Sequence, residues 1–215
     1  MLENALFRYK LAMEAAQQKF GGTVRYASQH SVLWGAMGQS GFSTADWLGV
    51  CAGLSIEWLK AEAAGKDFLS ELLTTRNAVF KRSPGTNAEV TAFSKRVSAS
   101  HLGQGDVAKA LKGVMAPDGD AASVDFPFVT LSSAFRRGDF GYISSGTHAM
   151  AAKVGTSFFA NTIDFYDPNV GELRGTKIGA IGPYLKACKE ATQQAQGNAA
   201  SAADGKMSVR NFRKV

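Results

Sequence analysis

The sequence contains little cysteine and little histidine, which limits the chemistry available to the chain. Its two cysteines, Cys51 and Cys188, are too few for the disulfide framework of a small secreted domain, so we expect at least one free thiol in a reducing environment. The two cysteines and three histidines also lack the ligand spacing of a zinc site. We therefore predict neither a metal centre nor another cofactor.

Long apolar runs and a basic leader are also absent. No run approaches the ~18 residues that a membrane-spanning helix needs, and residues 1–7 lack the features of a cleaved signal peptide. The net charge is +6, with Lys and Arg scattered rather than clustered among aromatics, which argues against a nucleic-acid partner. What the chain does have is an ordinary globular composition, 45% hydrophobic and 20% charged, and a length of 215 residues that fits one domain.

Helical periodicity dominates the first part of the chain, and strand patterns dominate the second. The spacing of apolar residues predicts helices within 2–19, 43–73, 87–97, 104–115 and 183–196, and strands over 140–144, 148–154, 157–166 and 172–180. Residues 23–42 are typical of a loop. Helices followed by strands indicate an α+β domain, with an N-terminal helical layer packed on a C-terminal antiparallel β-sheet. We predict one domain over residues 1–196 and a flexible basic tail over 197–215.

Cys51 lies between Gly49 and Gly53, where a strong helical run begins. A thiol reacts as its thiolate, and the partial positive charge of a helix N-terminus or a nearby imidazolium lowers its pKa. The two glycines would allow chain and substrate to approach closely. This segment alone is equally compatible with a buried core thiol. Cys188 has basic neighbours but no histidine or acidic motif, so we interpret it as structural.

His148 begins a strand-like segment, and Asp167 ends the next one. In a hairpin the second strand returns to the edge from which the first one left, so Asp167 is expected beside the imidazole and could orient it. Asp164 is the competing acid. Strand alternation places the two acids on opposite faces, and we prefer Asp167 because Pro168 ends the strand there.

An oxyanion hole would complete such a site. The backbone N–H of Cys51 can supply one donor. Side-chain candidates lie shortly before it, at Gln39, Asp46 and Trp47. Asp46 would donate only in its protonated form.

Three segments together resemble the YopT/AvrPphB family of papain-like cysteine proteases, which bacterial secretion systems deliver. The segments are GVCAGLSIEWL at 49–59, GTHAM at 146–150 and FYDPNVGEL at 165–173, and they occur in the family's order. The resemblance implies a papain-like fold with the catalytic cysteine at a helix N-terminus. It also implies Cys51 as nucleophile, His148 as general base and acid, and Asp167 as orienting acid. Asp46 stands at the family's oxyanion position, five residues before Cys51.

The resemblance further implies a virulence effector or toxin that is secreted without a cleaved signal peptide and acts in the cytoplasm of a target cell. Its partner would be a protein substrate there, with small GTPases, kinases and bacterial proteins all open as targets, and a secretion chaperone or an immunity protein is a further candidate partner. Two alternatives stay open. The same triad could carry out deamidation or transglutamination, or the domain could be a non-catalytic binding module.

Overall fold

An eight-stranded antiparallel sheet forms the middle layer of the fold. The structure is a computed structural model, and it describes residues 2–29, 50–81, 87–102, 106–118, 124–144, 148–156, 161–195 and 206–215. Within these ranges the strands are β1 (Thr23–Tyr26), β2 (Met115–Pro117), β3 (Val124–Pro127), β4 (Phe140–Ser144), β5 (Ala149–Val154), β6 (Thr162–Asp167), β7 (Gly171–Lys177) and β8 (Lys206–Lys214). Their order is β1-β7-β6-β5-β4-β8-β2, and β3 also pairs with β8.

Helices cover both faces of this sheet. The described α-helices are α1 (Leu2–Phe20), α2 (Cys51–Ala63), α3 (Phe68–Lys81), α4 (Asn87–Leu102), α5 (Val107–Ala110) and α6 (Ile181–Ala195), with short 3₁₀ helices at Phe128–Ala134 and Ile178–Ala180. Residues of α2, α3, α4 and α5 form one hydrophobic core with the sheet. Residues of α1, α6 and both 3₁₀ helices form a second core on the other face. No helix in the described part of the chain is both long enough and apolar enough to span a membrane.

The α+β class, the antiparallel sheet and a helix beginning at Cys51 are confirmed. The second helical layer was not predicted. Its physical cause is visible in β5, where Ala149 and Ala151 face the first core while Met150 and Ala152 face the second. A strand that is apolar on both sides must be covered on both sides.

The prediction of a flexible tail over 197–215 is wrong from Lys206 onward. These residues form β8, which lies between β4 and β2 and also pairs with β3. Met207 and Val209 enter one core, and Phe212 enters the other. Without β8, the N–H and C=O groups of β4 on that side would have no strand partner. The part of the predicted tail before residue 206 lies outside the described residues.

The loop predicted over 23–42 is likewise wrong at its start, because Thr23–Tyr26 pair with β7 as an edge strand. Gly171 permits this close contact, since a Cβ there would lie 2.1 Å from the carbonyl oxygen of Arg25. Its φ of 139° also belongs to the region that glycine favours. Residues 30–42 of that predicted loop lie outside the described residues.

Helix α2 crosses the sheet mainly over β5, with further contacts to β4 and β6. Its neighbour on the other side is α4, which approaches closely at Gly53, where a Cβ would lie only 2.3 Å from the carbonyl oxygen of Val97. The close approach that the sequence suggested at Gly53 is therefore to a helix of the same domain. Between α4 and the sheet, α2 is held so that its first residue, Cys51, lies near the start of β5.

Candidate active site

Cys51 is the first residue of α2, and its side chain is almost completely buried. Val50 precedes the helix without providing a side-chain cap for its first N–H groups. Burial by itself raises the pKa of the Cys51 thiol. The hydrogen bond and charge of His148, together with the backbone N–H groups of Ala149 and Ala52, outweigh burial and hold this pKa below its ordinary value. The thiolate is therefore favoured at this position.

The structure brings His148 and Asp167 into direct contact. His148 Nε2 lies 2.8 Å from Asp167 Oδ1. The contact follows from the pairing of β5 with β6, in which Ala151 lies opposite Tyr166. His148 directly precedes β5 and Asp167 ends β6, so both occupy the same end of the sheet, as the hairpin argument predicted.

The imidazole of His148 lies between the thiol and the carboxylate. Burial lowers the pKa of His148, but the charge and hydrogen bond of Asp167 and the contact with Cys51 raise it to about 10. Since Nε2 faces Asp167, Nδ1 is the ring nitrogen left for the thiol. The lowered pKa of the thiol and the raised pKa of the imidazole both favour a thiolate–imidazolium pair over the neutral pair.

Asp167 is a buried carboxylate, and both of its oxygens accept hydrogen bonds. Oδ1 also accepts from the backbone N–H of Asn169 at 2.8 Å, and Oδ2 accepts from Tyr184 Oη at 2.6 Å. Burial raises the pKa of Asp167, but the charge and hydrogen bond of His148 and these donors lower it below its ordinary value. Asp167 is therefore ionised where a partner for an imidazolium is needed.

The other sequence-predicted candidates are placed differently. Asp164 accepts a hydrogen bond from the backbone N–H of Gly175 at 2.7 Å and lies 3.5 Å from an Arg174 nitrogen, so the structure pairs it with β7. Cys188 is buried on α6, and burial raises the pKa of its thiol well above the ordinary value. Gln39, Asp46 and Trp47 lie outside the described residues.

Sequence reasoning missed three supporting side chains, namely Tyr184, Asn169 and Gln29. Gln29 Nε2 donates to Asn169 Oδ1 at 2.7 Å, and Asn169 Nδ2 lies 3.3 Å from His148 Nε2. Asn169 had a visible signal, since an Asp-Pro-Asn sequence after a strand is typical of a turn. Gln29 and Tyr184 had none, because they reach the site from the segment after β1 and from α6. Among the described residues, no group of three or more His, Cys, Asp or Glu side chains could hold a metal ion.

Comparison with known proteins gives similarity at the level of fold. No family model matches the sequence, and no curated protein matches it. Among solved structures, the cysteine protease-like domain PatoxP of the Photorhabdus asymbiotica toxin PaTox is similar, with a TM-score of 0.51 and 16% identity over 98% of this chain. This chain spans 60% of the length of that chain. The Pseudomonas avirulence protein AvrPphB gives a TM-score of 0.43 and 16% identity, covering 77% of this chain and 91% of its own. The protein thus shares the fold of a cysteine protease-like domain.

Proposed function

We propose that the protein is a cysteine endopeptidase in which Cys51 is the nucleophile, His148 the general base and acid, and Asp167 the orienting acid. One observation carries the proposal. The imidazole of His148 contacts Asp167 through Nε2 at 2.8 Å and also forms a hydrogen bond with Cys51. A nucleophile, a base and a group that orients the base, in mutual contact, are the parts that thiol acyl transfer requires.

The reaction follows from this order of contacts. The thiolate of Cys51 attacks the carbonyl carbon of the scissile peptide bond. His148 then gives its proton to the leaving amine, and a thioester forms on Cys51. His148 next takes a proton from the water that attacks the thioester. The carboxylic acid is released, and Cys51 returns to its thiolate beside the protonated imidazole of His148. Throughout, the Asp167 carboxylate keeps a proton on Nε2 and Nδ1 directed at the thiol.

The developing oxyanion needs donors near Cys51. The backbone N–H of Cys51 belongs to the first turn of α2, where the helix dipole places partial positive charge, and it lies on the residue whose thiolate attacks the carbonyl. We propose this N–H as one oxyanion donor. Asp46 stays a proposed second contributor from the sequence resemblance.

The setting we propose is that of a translocated bacterial effector or toxin that cleaves a specific protein in the target cell. The fold-level match to a domain of the toxin PaTox supports this proposal. Because a thioester on Cys51 can also be formed from a glutamine side chain, deamidation and transglutamination use the same three residues, and the product separates these reactions from proteolysis.

The test compares protein termini in target cells that express the wild type, Cys51→Ala, His148→Ala or Cys188→Ala. Cys188 is the comparison, since it is the other buried cysteine. We expect new termini with the wild type and Cys188→Ala, and none with Cys51→Ala or His148→Ala. A Cys51→Ala protein that still generated the same termini would refute the proposal. If the wild type instead increases the mass of a substrate glutamine by about one dalton and produces no new termini, deamidation is favoured.

A further inference from the structure

Two amide side chains lie behind His148 and have no part in the reaction described above. Asn169 follows the Asp167-containing strand, and Gln29 follows β1, far away in sequence. Gln29 is 9% exposed, and its backbone N–H donates to the carbonyl oxygen of Pro168 at 2.6 Å. Its side-chain Nε2 lies 2.7 Å from Asn169 Oδ1, and Asn169 Nδ2 lies 3.3 Å from His148 Nε2. The two amides therefore form a chain that ends on the ring of His148.

The hydrogen on His148 Nε2 determines which atom of the Asn169 amide can form a hydrogen bond with it. The Asp167 carboxylate, whose pKa lies below its ordinary value, can only accept hydrogen bonds when ionised. Its contact with Nε2 therefore requires a hydrogen on Nε2 in both the neutral and the cationic ring. An amide NH₂ facing that N–H forms no hydrogen bond, whereas an amide oxygen in the same place accepts one.

Rotation of the two amides satisfies this requirement. The oxygen and nitrogen of an amide side chain exchange places on a half turn with almost no change in shape. When Asn169 turns, its Oδ1 faces His148 and its Nδ2 faces Gln29, whose amide turns likewise and accepts through Oε1. In the described part of the chain, Gln29 Oε1 accepts no hydrogen bond before the rotation. The rotation of the Gln29 amide therefore breaks no described hydrogen bond of that oxygen.

We propose that Asn169 is a positioning residue, whose Oδ1 accepts a second hydrogen bond from His148 Nε2–H while Gln29 fixes the rotation of the Asn169 amide. This inference rests on the proposed function in that it assigns His148 as the partner of the thiol. Two acceptors on one N–H, the Asp167 carboxylate and the Asn169 oxygen, direct Nδ1 at Cys51 and stabilise the imidazolium. Through Gln29, the segment that follows β1 thereby contributes to the site.

The experiment measures the pKa of His148 by NMR in full-length protein with labelled histidine, in a Cys51→Ala background so that thiol titration does not overlap. Asn169→Leu removes the acceptor at similar size, and Asn169→Asp keeps an acceptor but has no donor. A hydrogen bond to a charged group is worth about 1.5–3 kcal/mol, so we expect Asn169→Leu to lower the His148 pKa by about one to two units. Asn169→Asp should keep or raise it.

Two further variants keep the test decisive. Asn211→Leu is the matched control, since Asn211 is a half-buried asparagine that donates to the carbonyl oxygen of Ala134, and it should leave the His148 pKa unchanged. Gln29→Leu should lower that pKa by less than Asn169→Leu, and it serves as the main variant if Asn169→Leu does not fold.

An unchanged His148 pKa in Asn169→Leu overturns the inference, and so does an Asn169→Asp protein that behaves like Asn169→Leu. If Asn169→Leu does not fold, an unchanged pKa in Gln29→Leu overturns it instead. Failure of the proposed function is recognised separately, by a wild-type Cys51 that does not react with iodoacetamide at neutral pH.

Discussion

The indole of Trp58 donates a hydrogen bond from Nε1 to Glu172 Oε1 at 2.8 Å, and both side chains are fully buried. Trp58 belongs to α2, the helix that begins with Cys51, whereas Glu172 belongs to β7. The same carboxylate contacts Arg174 at 2.7 Å and Arg25 at 3.4 Å. Cys51 and the His148–Asp167 pair lie on different elements, so this contact helps to fix the helix that carries Cys51 against the sheet.

Trp58→Phe is predicted to destabilise the protein by about 1–3 kcal/mol, because it leaves a buried acceptor of Glu172 with one donor fewer. The measurement is the free energy of unfolding in urea. Tyr26→Phe is a useful comparison, since its hydroxyl donates to Glu14 at an exposed site and should contribute much less. Equal losses in the two variants would contradict the anchoring role of Trp58.

The pair of His148 and Asp167 should make stability depend on pH in a defined window. The pKa of His148 is raised from 6.5 to about 10, so its contribution is complete below pH 6.5 and is lost as pH rises through 10. The pKa of Asp167 is lowered from 3.8, so its contribution is present above pH 3.8 and is lost as pH falls. The difference in the free energy of unfolding between the wild type and His148→Gln should therefore be largest between pH 3.8 and pH 6.5. Urea titrations at pH 5, 7 and 9 measure it, and a difference that grows from pH 7 to pH 9 would refute the assignment.

Gly53→Ala should separate α2 from α4, because the new Cβ would lie 2.3 Å from the carbonyl oxygen of Val97 and 3.0 Å from His101 Cβ. We expect a loss of about 1–3 kcal/mol from overpacking, together with slower alkylation of Cys51 if the helix start shifts. Gly179→Ala is the control, since its Cβ would meet no heavy atom closer than 4.0 Å and should change stability by less than about 0.5 kcal/mol. Thermal unfolding and the iodoacetamide rate provide the readouts.

Phe212→Ala tests whether the C-terminal strand belongs to the core. Phe212 pairs with Phe140 of β4 in the sheet and is completely buried in the first core, so its truncation should cost about 3–5 kcal/mol. Removal of Val215, which is 81% exposed, should have little effect. A Phe212→Ala protein as stable as the wild type would indicate that the segment is a tail after all.

The local parts of the site could be predicted from the sequence, because they depend on neighbours along the chain. The hairpin of β5 and β6 joins segments only a few residues apart, and strand geometry then brings His148 and Asp167 to one end. The choice of Asp167 over Asp164 agrees with the observed hydrogen bonds. The catalytic roles themselves stay predictions that the variants above will test.

The missed parts are those in which distant segments meet. Met207 and Val209 are two positions apart among polar residues, a spacing typical of one face of a strand, and Phe212 falls on the opposite face. Their basic, alanine- and serine-rich surroundings favoured a tail instead. Gln29 could not be connected with His148 at all, since nothing in a short polar segment indicates that it will contact the turn at Pro168 and Asn169.

By itself, the sequence determined the α+β class, the helix that begins at Cys51 and the hairpin that joins His148 to Asp167, because periodicity and short-range chain geometry decide each of them. Only the tertiary structure decided that β8 lies inside the sheet, that helices cover both faces, and that Tyr184, Asn169 and Gln29 surround the histidine–carboxylate pair. These contacts arise when buried strand edges and buried polar groups find partners across the whole chain, and residue order alone does not identify those partners.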